Sequence, residues 1–177
     1  MRRAKIMLGL ALAACGGGGG SGDEAADAGG PFLAFTGNFQ GFHGWSSQPA
    51  TSTRPVASGV HTNGPMTVYL NQAPPKGSAT FPRGTIIVKE VDVGDSISRQ
   101  VFAMVKRGDG FNAGGAVDWE WFELQNQADG TELILWRGVG PPLGEKYGGD
   151  PNGCNGCHSA AKDNDFVMTD ALRLSGM

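Results

Sequence analysis

Five short segments rich in β-branched and aromatic residues dominate the middle of the chain, and Gly, Pro, Asn and Asp residues separate them. Segments of this kind are typical of β-strands that end at turns. They span residues 66–71, 85–93, 101–106, 117–124 and 131–136. The connections are short, which favours antiparallel neighbours. The sequence therefore predicts an α+β fold that is mainly β, with an antiparallel sheet of about five strands.

The remaining parts of the domain predict short helices and a hydrophobic cover. Residues 166–172 fit a short helix, and another helical turn is expected to carry Cys157 and His158. No long segment with a 3.6-residue period precedes them, which excludes a four-helix bundle. A cluster of aromatic residues between positions 31 and 60 predicts a cover for the sheet. Its members are Phe32, Phe35, Phe39, Phe42 and Trp45.

Residues 1–14 have the layout of a secretory signal peptide, with basic residues before a short apolar run. The run is far shorter than the roughly 20 residues that span a bilayer as a helix. It ends in Leu-Ala-Ala-Cys, which is similar to a bacterial lipoprotein box, so we expect Cys15 to carry lipid. An ordinary signal peptide cut near Ala14 is the alternative. The Gly-rich residues 15–30 then form a flexible tether, and residues 31–177 form the folded domain.

This organisation predicts a place in the bacterial cell envelope, on the periplasmic face. Gly16 follows Cys15, which resembles the sorting signal of an outer-membrane lipoprotein. Membrane contact is expected through the lipid anchor only. The formal net charge of −3, without clustered Lys and Arg, argues against a nucleic-acid-binding protein.

The motif Cys154-Asn155-Gly156-Cys157-His158 carries the clearest chemistry. C-x-x-C-H is the attachment pattern of c-type haem, in which two thiols bond to the porphyrin and the imidazole binds the iron from one side. We therefore expect one covalent haem c, with Cys154 and Cys157 as attachment residues and His158 as the proximal iron ligand. A disulfide with a chance histidine is one alternative. Zinc is another, and His43 and His61 are the remaining histidines that could complete its ligands.

Three pieces of sequence in the same order resemble the cytochrome P-460 family, which includes the β-sheet cytochromes called c-prime-beta. They are MTVYLN at 66–71, FPRGTIIVKE at 81–90, and CNGCHS at 154–159 followed by FVMT at 166–169. The resemblance covers roughly residues 60–172. It implies an antiparallel sheet packed on the haem, one proximal histidine and an open distal side. It also implies binding or oxidation of hydroxylamine or nitric oxide, and a homodimer by analogy with the family.

The resemblance gives Lys89 a specific interpretation. In family members with unusual absorption, the lysine of this Val-Lys-Glu segment is bonded to a haem meso carbon. In a strand, Lys89 shares a face with Ile87 and Val91, and a charge on an apolar face needs an explanation. The alternative is an edge strand whose lysine extends to solvent, with Glu90 on the other face.

Two further residues are candidates for catalysis. In hydroxylamine-oxidising members, a carboxylate just before the haem motif relays protons. Gly149 stands at the matching position here, and the adjacent Asp150 either replaces that carboxylate or caps the turn before Pro151. His61 precedes the first strand and is a candidate distal residue, either as an iron ligand or as a donor to a bound molecule. A solvent-exposed loop histidine is the other interpretation, and His43 is expected to be structural.

These residues support two functions of different classes. The first is a haem site that binds, and oxidises or senses, small nitrogen compounds such as hydroxylamine and nitric oxide. The second is an electron-transfer cytochrome with a six-coordinate haem, in which His61 fills the sixth position. A redox partner protein in the envelope is also expected.

Overall fold

The computed structural model describes residues 30–51, 64–92, 99–145 and 153–177. Among them, six strands form one sheet in which each strand pairs antiparallel with the next along the chain. The strands are β1 (Ser46–Pro49), β2 (Met66–Leu70), β3 (Ile86–Val91), β4 (Gln100–Lys106), β5 (Trp119–Asn126) and β6 (Glu132–Gly138). The predicted mainly β fold with an antiparallel sheet is confirmed, with one strand more than expected.

The additional strand is β1, whose sequence Ser-Ser-Gln-Pro has no apolar pattern. It lies at the edge of the sheet and pairs only with β2, with Ser46 opposite Leu70 and Pro49 opposite Thr67. An edge position suits a strand that ends in proline, because proline has no backbone N–H to donate to a neighbouring strand. The segment was expected to contribute only to the hydrophobic cover, and its backbone pairs with the sheet as well.

The sheet has two covered faces, because side chains alternate along each strand. In β3, Ile87 and Lys89 point to one face, and Ile86, Val88 and Glu90 point to the other. We call the first the C-terminal face, because residues 153–177 pack on it, and the second the N-terminal face, because residues 32–45 pack on it. Four residues of the predicted aromatic cover close the N-terminal face, where Phe39 and Phe42 are fully buried and Phe32 and Trp45 pack against the same cluster. The prediction is wrong for Phe35, whose side chain is 64% exposed.

The C-terminal segment has one short α-helix and several 3₁₀ turns. The α-helix α1 covers Cys154–His158, as expected for the turn that carries the motif, and 3₁₀ turns cover Ser159–Asn164, Asp170–Leu172 and Leu174–Gly176. The helix predicted over 166–172 is wrong in its first half. Phe166 has a φ of +66°, which interrupts any right-handed helix, and Asn164 donates to the Val167 and Leu172 carbonyls in place of a helical ladder.

Candidate functional site

The helix α1 holds two thiols and an imidazole within one and a half turns. Cys154 and Cys157 are three residues apart and therefore lie on the same side of the helix. Both thiols are free and partly buried, and Cys154 packs against the apolar cluster of the C-terminal face. The arrangement leaves two neighbouring sulfur atoms available for covalent attachment.

Asn155, between the two cysteines, fixes the helix to the sheet. Its Oδ1 accepts hydrogen bonds from Asn112 Nδ2 at 2.8 Å, from the Ala116 amide at 3.1 Å and from Trp121 Nε1 at 2.9 Å. Its Nδ2 donates to Asn112 Oδ1 at 3.0 Å and to the Val139 carbonyl at 2.9 Å. The full hydrogen-bonding capacity of one amide is used, so α1 has a defined position. The C-x-x-C-H pattern leaves this position open, so the motif alone does not reveal the role of Asn155.

Gly115 makes room for that amide. A Cβ at this position would overlap the Cγ, Oδ1 and Nδ2 atoms of Asn155. Real side chains do not approach so closely, and here the obstacle is a fully bonded amide rather than the flexible end of a chain. A glycine is therefore required at the point where the loop before β5 meets α1.

The His158 side chain is oriented by a backbone carbonyl. Its Nδ1 lies 2.6 Å from the Phe166 oxygen, which can only accept, so Nδ1 carries the proton and Nε2 carries the lone pair. The ring packs against Trp121, with 4.5 Å between the ring centroids. Burial lowers the pKa of His158 to about 4, so the imidazole is neutral at physiological pH. A neutral imidazole with Nδ1 donating and Nε2 free is the state that binds a metal ion.

The carbonyl of Phe166 is held in a left-handed turn. Asp165 and Phe166 have φ values of +50° and +66°, and a non-glycine residue in this region costs roughly 1–2 kcal/mol. The buried Asp165 carboxylate stabilises the turn, since it lies 2.7 Å from Lys106 Nζ and accepts from the Phe81 amide at 2.9 Å. The Phe166 amide also donates to the Ala161 carbonyl at 2.8 Å.

Lys89 lies on the C-terminal face, between Val68 of β2 and Phe102 of β4. The strand β3 is an interior strand, so the alternative of an edge strand is wrong. Among the described residues, Lys89 Nζ has no hydrogen-bond or ion-pair partner and lies 5.9 Å from the Phe102 ring centroid. Burial lowers the pKa of Lys89 to about 8, and the nearby Cys157 and Cys154 thiols oppose this lowering. The lysine therefore shares one environment with the thiols of α1.

Glu123 continues the same row of side chains across the sheet, opposite Phe102 of β4 and Trp136 of β6. Its Oε2 accepts a hydrogen bond from Trp136 Nε1 at 2.6 Å. Burial raises the pKa of Glu123, while the bond from Trp136 opposes the rise and Glu145 adds to it. Glu123 was not among the site residues predicted from the sequence. The alternation of Trp119, Trp121 and Glu123 along β5 is the signal that would have placed it on this face.

The structure brings together four of the residues predicted from sequence: Cys154, Cys157, His158 and Lys89. Cys15, His61 and Asp150 lie outside the described residues. His43 lies on the N-terminal face, where it stacks on Phe42 and is 3.2 Å from Glu90 Oε1. It therefore cannot complete a zinc site with the two thiols, which lie on the opposite face of the sheet.

The residues of the C-terminal face fit a covalently attached haem. Cys154 and Cys157 supply free thiols on one side of a helix, and His158 supplies an Nε2 whose partner nitrogen is already bonded. Trp121 and Phe102 add aromatic surface for a flat ring. Among the described residues, no cluster of three or more His, Cys, Asp or Glu side chains could hold a metal ion by itself.

Comparisons of the chain with protein-family models, curated proteins and solved structures find no match. Within the described ranges, no helix has the length and hydrophobicity needed to cross a membrane.

Proposed function

We propose that this chain is a mono-haem c-type cytochrome with a cytochrome P-460-like domain, which binds and oxidises small nitrogen compounds such as hydroxylamine and nitric oxide. The observation that carries the proposal is the placement of Lys89 on the same face as two free thiols and a neutral, Nδ1-bonded histidine. Perturbed ionisable groups collected at one place are typical of functional sites.

Each residue of the site has a defined task in this proposal. Cys154 and Cys157 would hold the porphyrin through thioether bonds, and His158 Nε2 would bind the iron. The Phe166 carbonyl keeps the His158 ring in the correct tautomer and orientation. When bound, the haem supplies reversible iron oxidation and a coordination position for a small molecule. Glu123 lies beside the same surface, where its Oε2 accepts a hydrogen bond from Trp136 Nε1 and burial raises its pKa.

Lys89 has the properties required for a bond to the haem edge. Its lowered pKa of about 8 makes a useful fraction of the amine neutral and nucleophilic near pH 7 to 8. A bond between Nζ and a meso carbon of the haem would replace one N–H and one C–H bond and release two electrons and two protons. A peroxide would take these up and leave as two molecules of water.

The cellular setting is part of the proposal. Export by residues 1–14 and lipid on Cys15 would place the haem domain on the periplasmic face of the envelope, in an outer-membrane lipoprotein. A redox partner protein would then take the electrons released from the substrate. Homodimer formation is a further expectation from the family resemblance.

The experiment is an optical comparison of the purified holoprotein with His158→Ala, using His43→Ala as the matched control on the opposite face. We expect a covalent haem in an alkaline pyridine assay, a five-coordinate high-spin iron, and ferrous nitric oxide binding. His158→Ala should lose the proximal ligand and His43→Ala should leave the spectrum unchanged. A six-coordinate low-spin iron that rejects nitric oxide and hydroxylamine would contradict the proposal and favour an electron carrier.

The state of Lys89 is read from the same samples. A red-shifted ferrous band that survives denaturation in the wild type and disappears in Lys89→Met would support the bond to the haem edge. An ordinary c-type haemochrome in both proteins would show that two thioether bonds are the only covalent links.

A further inference from the structure

The Phe166 carbonyl occupies an unusual position for the acceptor of a proposed iron ligand. It lies 2.6 Å from His158 Nδ1, and it belongs to the second of two consecutive non-glycine residues with positive φ. Phenylalanine rarely adopts this backbone region without support from its surroundings. The direction of the carbonyl therefore depends on the contacts that hold Asp165 and Phe166 in the turn.

The strongest of these contacts is an ion pair beneath the turn. Lys106 Nζ, from the end of β4, lies 2.7 Å from Asp165 Oδ1, and both side chains are almost fully buried. Lys106 Nζ also lies 5.1 Å from the Trp119 ring centroid and 3.9 Å from Asp118 Oδ2. The second oxygen of Asp165 accepts from the Phe81 amide. The ion pair is thus fully supported, and it connects the sheet to the residue before Phe166.

We propose that the Lys106–Asp165 ion pair is a positioning device for His158, which sets the strength of the hydrogen bond between Nδ1 and the Phe166 carbonyl. The inference rests on the proposed function, because the hydrogen bond at Nδ1 acts on the properties of a bound haem iron. A stronger bond at Nδ1 raises the basicity of Nε2 and favours ferric iron. Loosening the turn weakens that bond and shifts the preference toward ferrous iron. Lys106 and Asp165 are positioning residues, since neither contacts the iron or a substrate.

The test replaces Asp165 by Asn in the holoprotein. Asn keeps the size of the side chain and tolerates the left-handed backbone, but it removes the charge that pairs with Lys106. The readouts are the ferrous iron–His158 stretching frequency, by resonance Raman spectroscopy, and the midpoint potential. We expect a lower frequency and a ferrous-to-ferric ratio about tenfold higher at fixed potential, which for one electron corresponds to about 59 mV. Lys106→Gln should act in the same direction, and Lys106→Arg should restore values close to the wild type.

The matched control is Arg137→Gln on the N-terminal face. Arg137 donates to the buried Glu120 from two nitrogens at 2.7 Å, so its loss also breaks a well-formed ion pair of the sheet. We expect the stability to fall while the frequency and the potential stay at the wild-type values. Equal shifts in the control and in Asp165→Asn would overturn the inference, because the effect would then reflect general loosening. An unchanged signature in Asp165→Asn would overturn it as well.

Haem content, measured first, separates this inference from the proposed function. A wild type without covalent haem contradicts both, whereas a wild type with haem and an insensitive Asp165→Asn variant contradicts the inference alone. If both charge-removing variants fail to fold, the test uses the wild type in its diamagnetic ferrous form with bound carbon monoxide. NMR then measures how fast the His158 Nδ1 proton exchanges with solvent. Slow exchange supports a firmly held Phe166 carbonyl, and fast exchange overturns the inference.

Discussion

Two adjacent charged residues, Lys89 and Glu90, lie on opposite faces of the sheet and differ in their number of polar partners. On the N-terminal face, the buried Glu90 carboxylate has several polar partners within 3.4 Å. They are His43 Nε2, Tyr69 OH, Asn126 Nδ2 and Arg99 NH1. On the C-terminal face, the adjacent Lys89 contacts the Phe102 ring and, among the described residues, has no polar partner.

This difference separates a face that stabilises the fold from the face that carries the proposed site. Buried charges are costly unless they are paired, and the N-terminal face follows that rule at Glu90 and at Glu120. The C-terminal face departs from it where Lys89, Glu123 and Cys154 meet, with their pKa values shifted by burial. An incompletely satisfied surface is what a large aromatic cofactor would complete.

The largest expected effects come from replacing one aromatic residue by alanine on each face, with stability affected most on the N-terminal face and the haem spectrum on the C-terminal face. Phe42→Ala should lower the free energy of unfolding by about 3–5 kcal/mol, because Phe42 is fully buried in the cover of the N-terminal face. The haem spectrum of the folded fraction should not change. Phe102→Ala, at a half-buried ring beside Lys89, should cost less stability and alter the spectrum. Denaturant titration combined with optical spectra measures both, and the reverse pattern would contradict the division between the faces.

Asn155→Ala is expected to have the next largest effect. The substitution removes the Asn155 amide, whose Oδ1 accepts from the Trp121 indole, the Ala116 amide and Asn112 Nδ2. Each buried group left unsatisfied costs about 1–3 kcal/mol. We expect a loss of about 3 kcal/mol and poor haem incorporation. Asn71→Ala, which removes bonds to the Ile86 amide and the Gly84 carbonyl away from α1, is the control. It should lower stability with normal haem content, and equal haem loss in both would argue against a specific role of Asn155.

A smaller and opposite effect is expected from Lys89→Met in the haem-free chain. The pKa of Lys89 falls from 10.5 to about 8 on folding, so the folded state loses its proton first and wild-type stability rises between these two pH values. Below pH 8 the buried charge is destabilising in the wild type and absent in the variant. We expect Lys89→Met to be more stable at pH 7 by about 1–2 kcal/mol, given about 1.4 kcal/mol for each pKa unit and partial screening by water. Thermal unfolding across this pH range checks the prediction, and a less stable variant would contradict it.

The smallest effect concerns Glu132 on the N-terminal face, which is 2% exposed. Its Oε2 has no hydrogen-bond partner among the described residues, and burial raises its pKa above 4.5. The folded state therefore holds the proton longer than the unfolded state, and stability is lost as the pH rises from 4.5 through the raised pKa. Glu132→Gln should remove this loss, with a gain of about 1 kcal/mol or less at pH 7.

Glu123→Gln is the comparison on the other face. Trp136 donates to the Glu123 carboxylate and opposes the rise of its pKa. We therefore expect Glu123→Gln to change the pH dependence of stability less than Glu132→Gln does. Urea unfolding at several pH values measures both changes, and a larger effect at Glu123 would contradict the assignment of partners.

The strands were predictable because their signal is local. β-Branched and aromatic runs between turn residues placed β2 to β6 within two residues of their observed ends. β1 was missed because Ser46 to Pro49 contains no β-branched or aromatic side chain, and the strand exists through its backbone pairing with β2. The helix predicted from residue 166 failed because the buried Asp165 carboxylate and the Asn164 amide impose a different local backbone.

The candidate site was predictable only where its residues lie close together in the sequence and form a known motif. Cys154, Cys157 and His158 form a motif, and the alternation along β3 placed Lys89 on its face. The supporting residues come from distant parts of the chain, such as Lys106, which meets Asp165 59 positions later. Asn155 stood inside the motif, and its role depends on Asn112, Trp121 and a glycine at 115 that no local pattern connects to it.

The order of the sheet has a consequence for the way the protein is assembled. Each strand pairs with its immediate predecessor, so the sheet is built from contacts of short sequence separation, which close rapidly. The contacts that seat the C-terminal segment span much longer loops, including the one between Thr51 and Asp170. The sheet can therefore form first, and the helix α1 with its two thiols packs onto the completed sheet last. Under the proposed function, haem attachment would then be a step of folding that follows secretion, with the preformed sheet as its template.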